Sequence, residues 1–416
     1  MPRIALAMIV RDAAAELAAC LQSVAGAVDE IVIADTGSHD ETLQVARDHG
    51  ARVLQIPWED YFAAARNRGL EAVAADWVLV LDADERLEPG PLAVWRAQLE
   101  SGPDAFQVTI RNYVRDARAR VWDRTATPND GAWRPGADYP AWIEHENVRL
   151  FRRLPELCFV GRVHESVGPQ VQAAGLRLGQ AQGRIHHFGL ARPPQATAAK
   201  NLLYRELGRR KALERPDDAQ AQFELGVIEF DNFHHHAEAL RCFERALRLQ
   251  PKFALAWFFA GAALQRLGHA REALDFWAQA RRNGYPSERL EECEGDAHYQ
   301  SEQFPQAVAC FRQAAARRAA PAAIRSKLGL AELRAGQPDA GLAQLRRAVA
   351  LDPSHAENHD RLVAALVWLD DLAGAIEAQQ ARLRHIPESE QGQRRLQALE
   401  QARAGPSPKA RSGVCR

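Results

Sequence analysis

The chain has 416 residues, with 53 Lys and Arg against 54 Asp and Glu and a net charge of −1 at pH 7. That length exceeds one ordinary core, so two or three domains are expected, and the charge balance speaks against a general nucleic-acid or membrane-surface binder, whose affinity rests on basic excess. Six scattered cysteines (Cys20, Cys158, Cys242, Cys293, Cys310, Cys415) form no CxxC pair and read as reduced packing residues, not as a zinc site or disulfide framework.

In chain order, "RIALAMIV" (3–10) reads as a buried strand and "AAAELAACLQSV" as a helix with Leu17, Leu21 and Val24 on one face. The short apolar run at the start is followed by no cleavage-site pattern, and no stretch approaches the ~18–20 apolar residues of a membrane span. The expectation is a cytoplasmic protein, with peripheral attachment at the inner membrane face as the alternative. "EIVIAD" is the next strand. "SHDETLQVARDHG" is a helix that opens with Ser38 and Glu41 in capping-box spacing and closes on Gly50. "ARVLQIPW", the helical "YFAAARNRGLEAVAA" and "WVLVLDAD" continue the alternation, which implies a mostly parallel sheet covered by helices on both faces.

Ligands of such sheets bind beyond the carboxyl ends of the strands. Those ends carry Arg11-Asp12, then Asp35-Thr36-Gly37-Ser38, then Asp82-Ala83-Asp84 with Glu85 behind. Three acids so close repel one another, and more so where water is scarce, so something must compensate them. The first strand-to-helix turn, "VRDAAAEL", holds no glycine, which excludes a GxGxxG or GxxxxGK[ST] phosphate loop. No GxSxG elbow is present either. A divalent cation on carboxylates is the other way to hold a diphosphate, and Mg²⁺ or Mn²⁺ suits oxygen ligands. A lone DxD is weak; its place at a strand end, beside the other strand-end acids, gives it weight.

"VIADTGSHDET", "AAARNRGL" and "VLDADE", in this order, resemble the nucleotide-sugar domain of family-2 glycosyltransferases of GT-A type, over roughly residues 3–190. By that resemblance Asp35 accepts from the donor base, with uracil favoured, and Arg66 lies near the base or diphosphate. Asp82 and Asp84 serve the metal–diphosphate complex. "VRDAAAE" replaces the acids usual after the first strand and leaves Asp12 in that place. For Arg66 the plainer alternative is a helix-surface arginine.

"AFQVTIRNYV" (105–114) reads as another strand. "RDARARVWDRTATPNDGAWRPGADYPAWIEHE" has no periodicity and reads as a long functional loop, where Trp122, Trp133 and Trp142 either line a sugar or acceptor pocket or pack the loop down. "NVRLFRRLPELCFVGRVHESV" (147–167) resembles the "vRLF…G.vHE" segment of a bacterial subgroup of the same family. This puts Glu165 where a catalytic base is wanted to deprotonate the acceptor in an inverting single displacement. Its alternative is a structural carboxylate paired with Arg149, Arg152 or Arg162. "GRIHHFGL" (183–190) resembles the subgroup's "HyGy" element, in which His187 would complete the metal shell, with His186 as its substitute and His164 as a third candidate.

From about Ala219 the pattern turns helical. Gly226, Gly261, Gly295 and Gly329 fall 35, 34 and 34 residues apart. Small residues follow (Ala239, Ala273, Ala307, Gly341), then large ones (Phe243, Trp277, Phe311, Leu345), then alanine each time (Ala246, Ala280, Ala314, Ala348). This period resembles the tetratricopeptide repeat, and implies a solenoid whose concave surface binds peptide or protein, or mediates a homodimer. A fifth, degenerate repeat starts near Ala356 with Val363 and Ala375. The three histidines His234, His235 and His236 read as a turn insertion that accounts for the first repeat's extra residue, or as a metal site.

The expected organisation is therefore an α/β GT-A-like domain over 1–191, a helical connector over 192–218, an all-α array of about five repeats over 219–390, and a helix end with a disordered basic tail over 391–416. The expected activity is metal-dependent transfer of a sugar from a nucleotide-diphosphate donor, UDP-linked by preference, with Mn²⁺ or Mg²⁺ as cofactor. The acceptor would be a peptide, a protein or a cell-envelope glycan. The rival from another class is a protein-binding scaffold with an inactive sugar domain. A nucleotidyltransferase is disfavoured by the missing glycine-rich first loop.

Overall fold

The computed structural model describes residues 1–100, 102–121, 124–191, 194–316 and 321–404. The chain divides into two compact units, Met1–Ile228 and Glu229–Arg416.

The first unit is built on a nine-stranded sheet. Its first half alternates as the sequence predicts: β1 (Ile4–Val10), α1 (Ala14–Ser23), β2 (Glu30–Asp35), α2 (Thr42–Asp48), β3 (Arg52–Gln55), α3 (Phe62–Glu71) and β4 (Trp77–Val80). Strand side chains alternate between faces, and here both faces are covered. Ile4, Leu6, Met8 and Val10 of β1 pack with Leu17 and Leu21 of α1. Ala5 and Ala7 pack on the other side with Ala63 of α3, Phe151 and Phe159. A strand buried on both faces reads as an unbroken apolar run, which is how β1 and β4 look in the sequence.

The remaining elements are β5 (Glu85–Leu87), α4 (Pro91–Leu99), β6 (Ala105–Val114), the short β7 (Arg120–Val121), β8 (Arg124–Thr125) and β9 (Thr127–Pro128), then β10 (Ala141–Arg152), α5 (Gly168–Ala173) and β11 (Leu178–His187). The sheet order is β3-β2-β1-β4-β10-β6-β11-β5, with β9 on β10. The strands β3, β2, β1 and β4 are parallel, so their carboxyl ends share one edge. Beyond them the sheet is mixed: β10 runs antiparallel to both β4 and β6, and β5 antiparallel to β11.

Two local expectations are corrected. The segment expected to be loop up to Glu146 is strand from Ala141, because Ala141 and Ile143 are buried against β6. Ser38 and Glu41 form no capping box on α2: Ser38 bonds Asp35 and the Asp12 backbone, and Asp40 accepts from the Thr42 N–H at 2.9 Å.

Two helices, α6 (Pro194–Glu214) and α7 (Ala219–Val227), belong to the same unit. The segment read as a connector is bound to the sheet domain: Arg162 pairs with Glu214, Arg210 with Asp60 at 3.0 Å, and Tyr204 meets Phe62 edge-on.

The second unit is helical. It contains α8 (His236–Leu249), α9 (Ala254–Arg266), α10 (Ala270–Arg282), α11 (Ser287–Gln300), α12 (Phe304–Ala315), α13 (Ala322–Arg334), α14 (Pro338–Leu351), α15 (Ala356–Trp368), α16 (Leu372–His385) and α17 (Glu390–Ala404). Of the segment expected as a helix end and basic tail over 391–416, residues up to Ala404 belong to α17 and residues 405–416 lie outside the described residues. The repeating glycines have a steric cause. A Cβ on Gly261 would stand 2.5 Å from the Trp277 ring, one on Gly295 2.6 Å from Phe311, and one on Gly329 2.8 Å from Leu345. Each large residue thus occupies the space that a side chain on the facing helix would need. The first repeat's extra residue coincides with a π-helical turn, Ile228–Asn232, which takes more residues per turn than an α-helix. The histidine turn therefore needs no insertion of its own.

Gly295→Ala tests this packing. Propensity alone would make alanine stabilising in a helix by up to about 1 kcal/mol. Phe311 is buried, so overpacking by about 1–3 kcal/mol should win. The expected result is a lower urea midpoint for the helical array with an unchanged slope.

Cations also tie successive repeats together. Lys327 bonds Glu292 at 2.9 Å, Arg361 bonds Ser326 at 3.2 Å and Arg395 bonds Asp360 at 2.9 Å, each reaching back 35 residues.

Candidate active site

The turn between β4 and β5 resolves the crowding of its acids by giving each a separate partner. Asp82 accepts from Arg66 Nη2 at 2.6 Å, and its other oxygen lies 3.8 Å from Arg149. Although burial alone would push this carboxyl up, Arg66 and Arg149 hold it well below the usual carboxylate range. Glu85, almost fully buried, accepts from Arg149 at 2.7 Å and from the Asp82 backbone N–H at 2.8 Å. Its pKa is raised by burial, against the pull of Arg149.

Asp84 faces His187. The pairing of β11 with β5 sets His187 opposite Glu85 and brings His187 Nε2 to 3.5 Å from Asp84 Oδ1. Burial would depress the imidazolium, but the Asp84 carboxylate, with Glu85 and Asp82 behind it, holds the His187 pKa above its ordinary value. The ring's Nδ1 lies 2.6 Å from Asn112 Oδ1. Gly189 packs directly on the pair, where only glycine fits: a Cβ there would come within 2.4 Å of His187 Nε2 and 3.0 Å of Asp84 Oδ2.

This arrangement fits a divalent cation with two protein donors, one carboxylate and one imidazole. Such a cation takes further oxygens from a diphosphate and water. Among the described residues no group of three or more His, Cys, Asp or Glu gathers as a metal site. Asp82, expected on the metal with Asp84, is instead turned to the two arginines. His186, the substitute for His187, points to the opposite side of β11. It is fully buried, bonds Tyr113 at 2.9 Å and stacks on Trp133 at 3.6 Å between ring centroids, and burial lowers its pKa to about 3.

Arg66 is the hub of the second cluster. Besides Asp82 it bonds Glu165, Nε to Oε1, at 2.6 Å, and its side chain is only 9% exposed. The surface-arginine alternative is therefore excluded. Glu165 pairs with Arg66 and not with Arg149, Arg152 or Arg162. The preceding His164 has a left-handed backbone (φ +53°) and its ring meets Tyr204 of α6 edge-on. Lys211 of α6 donates to the Val163 carbonyl at 3.1 Å and pairs with Glu224 of α7 at 2.6 Å.

Asp35 is buried at the end of β2, where its oxygens accept from the Gly37 and Ser38 N–H groups at 3.0 and 3.1 Å and from the Ser38 hydroxyl. Asp12 (φ +47°) accepts from the His39 N–H at 2.7 Å. Asp35 thus braces its own loop, and Asp12 ties the first strand-end loop to the second. Of the tryptophans, Trp133 packs on His186, Trp142 lies under Arg111 at 3.9 Å, and Trp122 is outside the described residues. Sequence reasoning missed Asn112. Its signal was an amide within a segment that reads as a buried strand, "AFQVTIRNYV", where an unpaired polar group is costly.

Residues 6–159 match the family model described as Glycosyl transferase family 2. Residues 294–356 and 326–384 match Tetratricopeptide repeat. The chain is 31% identical over 236 residues to a TPR repeat-containing protein of Synechococcus elongatus, covering 55% of this chain and 52% of that protein. It is 34% identical over 87 residues to an uncharacterized glycosyltransferase of Rickettsia felis, covering 21% of this chain and 30% of that one. It is 28% identical over 169 residues to the glycosyltransferase SunS of Bacillus subtilis, covering 39% and 34%. The chain thus spans about half the length, or less, of these curated relatives. Among solved structures, the type IV pilus biogenesis factor PilW aligns with 18% identity and a TM-score of 0.43, over 48% of this chain and 93% of that one.

Proposed function

With a family-2 glycosyltransferase domain at residues 6–159 and tetratricopeptide repeats behind it, we propose that this chain transfers a sugar from a nucleotide-diphosphate donor to a hydroxyl or similar nucleophile, using Mn²⁺ or Mg²⁺. The observation that carries the reading is the convergence of Asp84 and His187 at the carboxyl edge of the sheet, 3.5 Å apart, with no side chain at Gly189 to collide with them. A cation bound there would neutralise the charge that develops on the departing diphosphate.

In this reading the protein's own groups do the rest. Arg66 holds Asp82 and Arg149 holds Glu85 by hydrogen bonds, which keeps the turn that carries Asp84 in one shape. Glu165 takes the proton of the acceptor as the acceptor's oxygen bonds to the anomeric carbon. The bond from that carbon to the diphosphate oxygen breaks, and its electron pair leaves with the diphosphate. Attack from the face opposite the diphosphate inverts the anomeric centre. The repeats, as members of a class that presents concave protein-binding surfaces, would bring a polypeptide acceptor or its carrier. If the N-terminal unit proved inactive, that binding role would be the whole function.

Calorimetric titration with UDP, GDP, TDP and CMP, with and without Mn²⁺, tests the reading. The expected result is binding of UDP that strengthens with Mn²⁺. Absence of binding by all four would shift the function to the repeats.

A further inference from the structure

We propose that Asn112 is a positioning residue that sets the tautomer and aim of His187, presenting Nε2 as a lone-pair donor beside Asp84; the inference rests on the metal-dependent reading above. Asn112 sits near the carboxyl end of β6, fully buried, opposite His187 in the β6–β11 pairing. An amide can face either way, but here its neighbours decide. The Nδ2 side lies 3.0 Å from the Ile143 carbonyl and 3.3 Å from its own strand's Ile110 carbonyl. Carbonyl oxygens only accept, so the NH₂ group must face them. The amide oxygen is then the atom 2.6 Å from His187 Nδ1.

That oxygen also only accepts, so Nδ1 of His187 must carry a hydrogen. Asp84 Oδ1 faces Nε2 and also only accepts, but at 3.5 Å against 2.6 Å on the Asn112 side, so in the neutral imidazole the single hydrogen goes to Nδ1 and the lone pair is on Nε2. The assignment extends one residue further. Of the three acceptors around Asn112 Nδ2, its two hydrogens serve the nearer pair, the Ile143 carbonyl at 3.0 Å and Nδ1 of His145 at 2.9 Å, so that nitrogen accepts and His145 carries its hydrogen on Nε2. One set of proton positions therefore satisfies His145, Asn112 and His187 together.

The choice of an amide has a physical sense. A carboxylate at position 112 would face the Ile110 and Ile143 carbonyl oxygens, two acceptors that no change of tautomer turns into donors. A leucine would leave the Ile143 carbonyl, His145 Nδ1 and His187 Nδ1 without Asn112's bonds. Only a neutral group with a donor at one end and an acceptor at the other serves both sides. The partner that holds a ligating histidine by its second nitrogen typically contributes 10–100-fold to metal affinity.

The test begins with the metal-free protein and needs no variant. In ¹⁵N-histidine-labelled protein, at a pH above the ring's own titration, the His187 signals (assigned by their loss in His187→Ala) should show a protonated Nδ1 and an unprotonated Nε2. In Asn112→Leu that preference should disappear. A protonated Nε2 in the wild-type ring, or an unchanged pattern in the variant, overturns the inference.

Mn²⁺ is then titrated into both proteins without nucleotide and followed by the electron paramagnetic resonance of the free ion. Affinity should fall 10–100-fold in Asn112→Leu, and equal affinities overturn the inference. If neither protein binds Mn²⁺, the purpose assigned to Asn112 falls with the metal-dependent reading. The nitrogen spectra then show whether the tautomer assignment was itself in error, which separates the two failures.

Discussion

Asp84→Ala is expected to abolish Mn²⁺-dependent sugar transfer, by on the order of 10³-fold or more, while the far-ultraviolet dichroism and the unfolding midpoint of the N-terminal unit stay close to those of the wild type. The size follows from the small donor set. The protein would offer the cation one carboxylate and one imidazole, so removing the carboxylate halves its share. A cation typically supplies several kcal/mol of charge stabilisation, and each 1.36 kcal/mol is about tenfold in rate. The fold should survive because the neighbouring acids are held elsewhere: Asp82 by Arg66, and Glu85 by Arg149 and a backbone N–H. The check is turnover of a UDP-sugar with Mn²⁺ and with a chelator. Wild-type activity that ignores the chelator, or a variant that still responds to Mn²⁺, would remove the metal from the mechanism.

Glu165→Gln is expected to lower transfer about 10²–10⁴-fold, the scale of a lost general base, with nucleotide affinity changed little. Its ion pair with Arg66 supplies a competing outcome. If Glu165 serves only as a counter-ion, its neutralisation leaves the buried Arg66 with Asp82 alone. Donor affinity and thermal stability would then fall while kcat at saturation stayed near that of the wild type. Parallel measurement of kcat, KM and the unfolding midpoint separates the two.

Much of the fold was legible because its signals are local. Strand and helix alternate in the first half with the periods their buried faces require, and the glycines of the array recur because one large residue per repeat needs the space. The candidate site was legible only as a set of residue types at strand ends. The partners of those residues come from pairings far apart in sequence. Asp82 and Asp84 look equivalent in "LDADE", yet one is turned to Arg66 of α3 and the other to His187 of β11. Likewise His186 and His187 are adjacent, but strand alternation sends one into an aromatic stack and the other to the acid. The register of β11 on β5 and β6 makes that choice, and no short motif encodes it. The strand at Ala141 was hidden for the same reason, since its partner β6 lies some thirty residues earlier.

The support of Val163 by Lys211, and of Lys211 by Glu224, bears on how such a chain can be inherited. Repeat arrays are often regarded as interchangeable cargo hooks, added behind a catalytic module by gene fusion and swapped when the client changes. Here the backbone that presents Glu165 is pinned by two helices lying past the segment that carries the sugar-domain motifs. A recombination joint placed at residue 191 would separate the acid from its anchor. The stretch that holds Glu165 in place thus runs through α7.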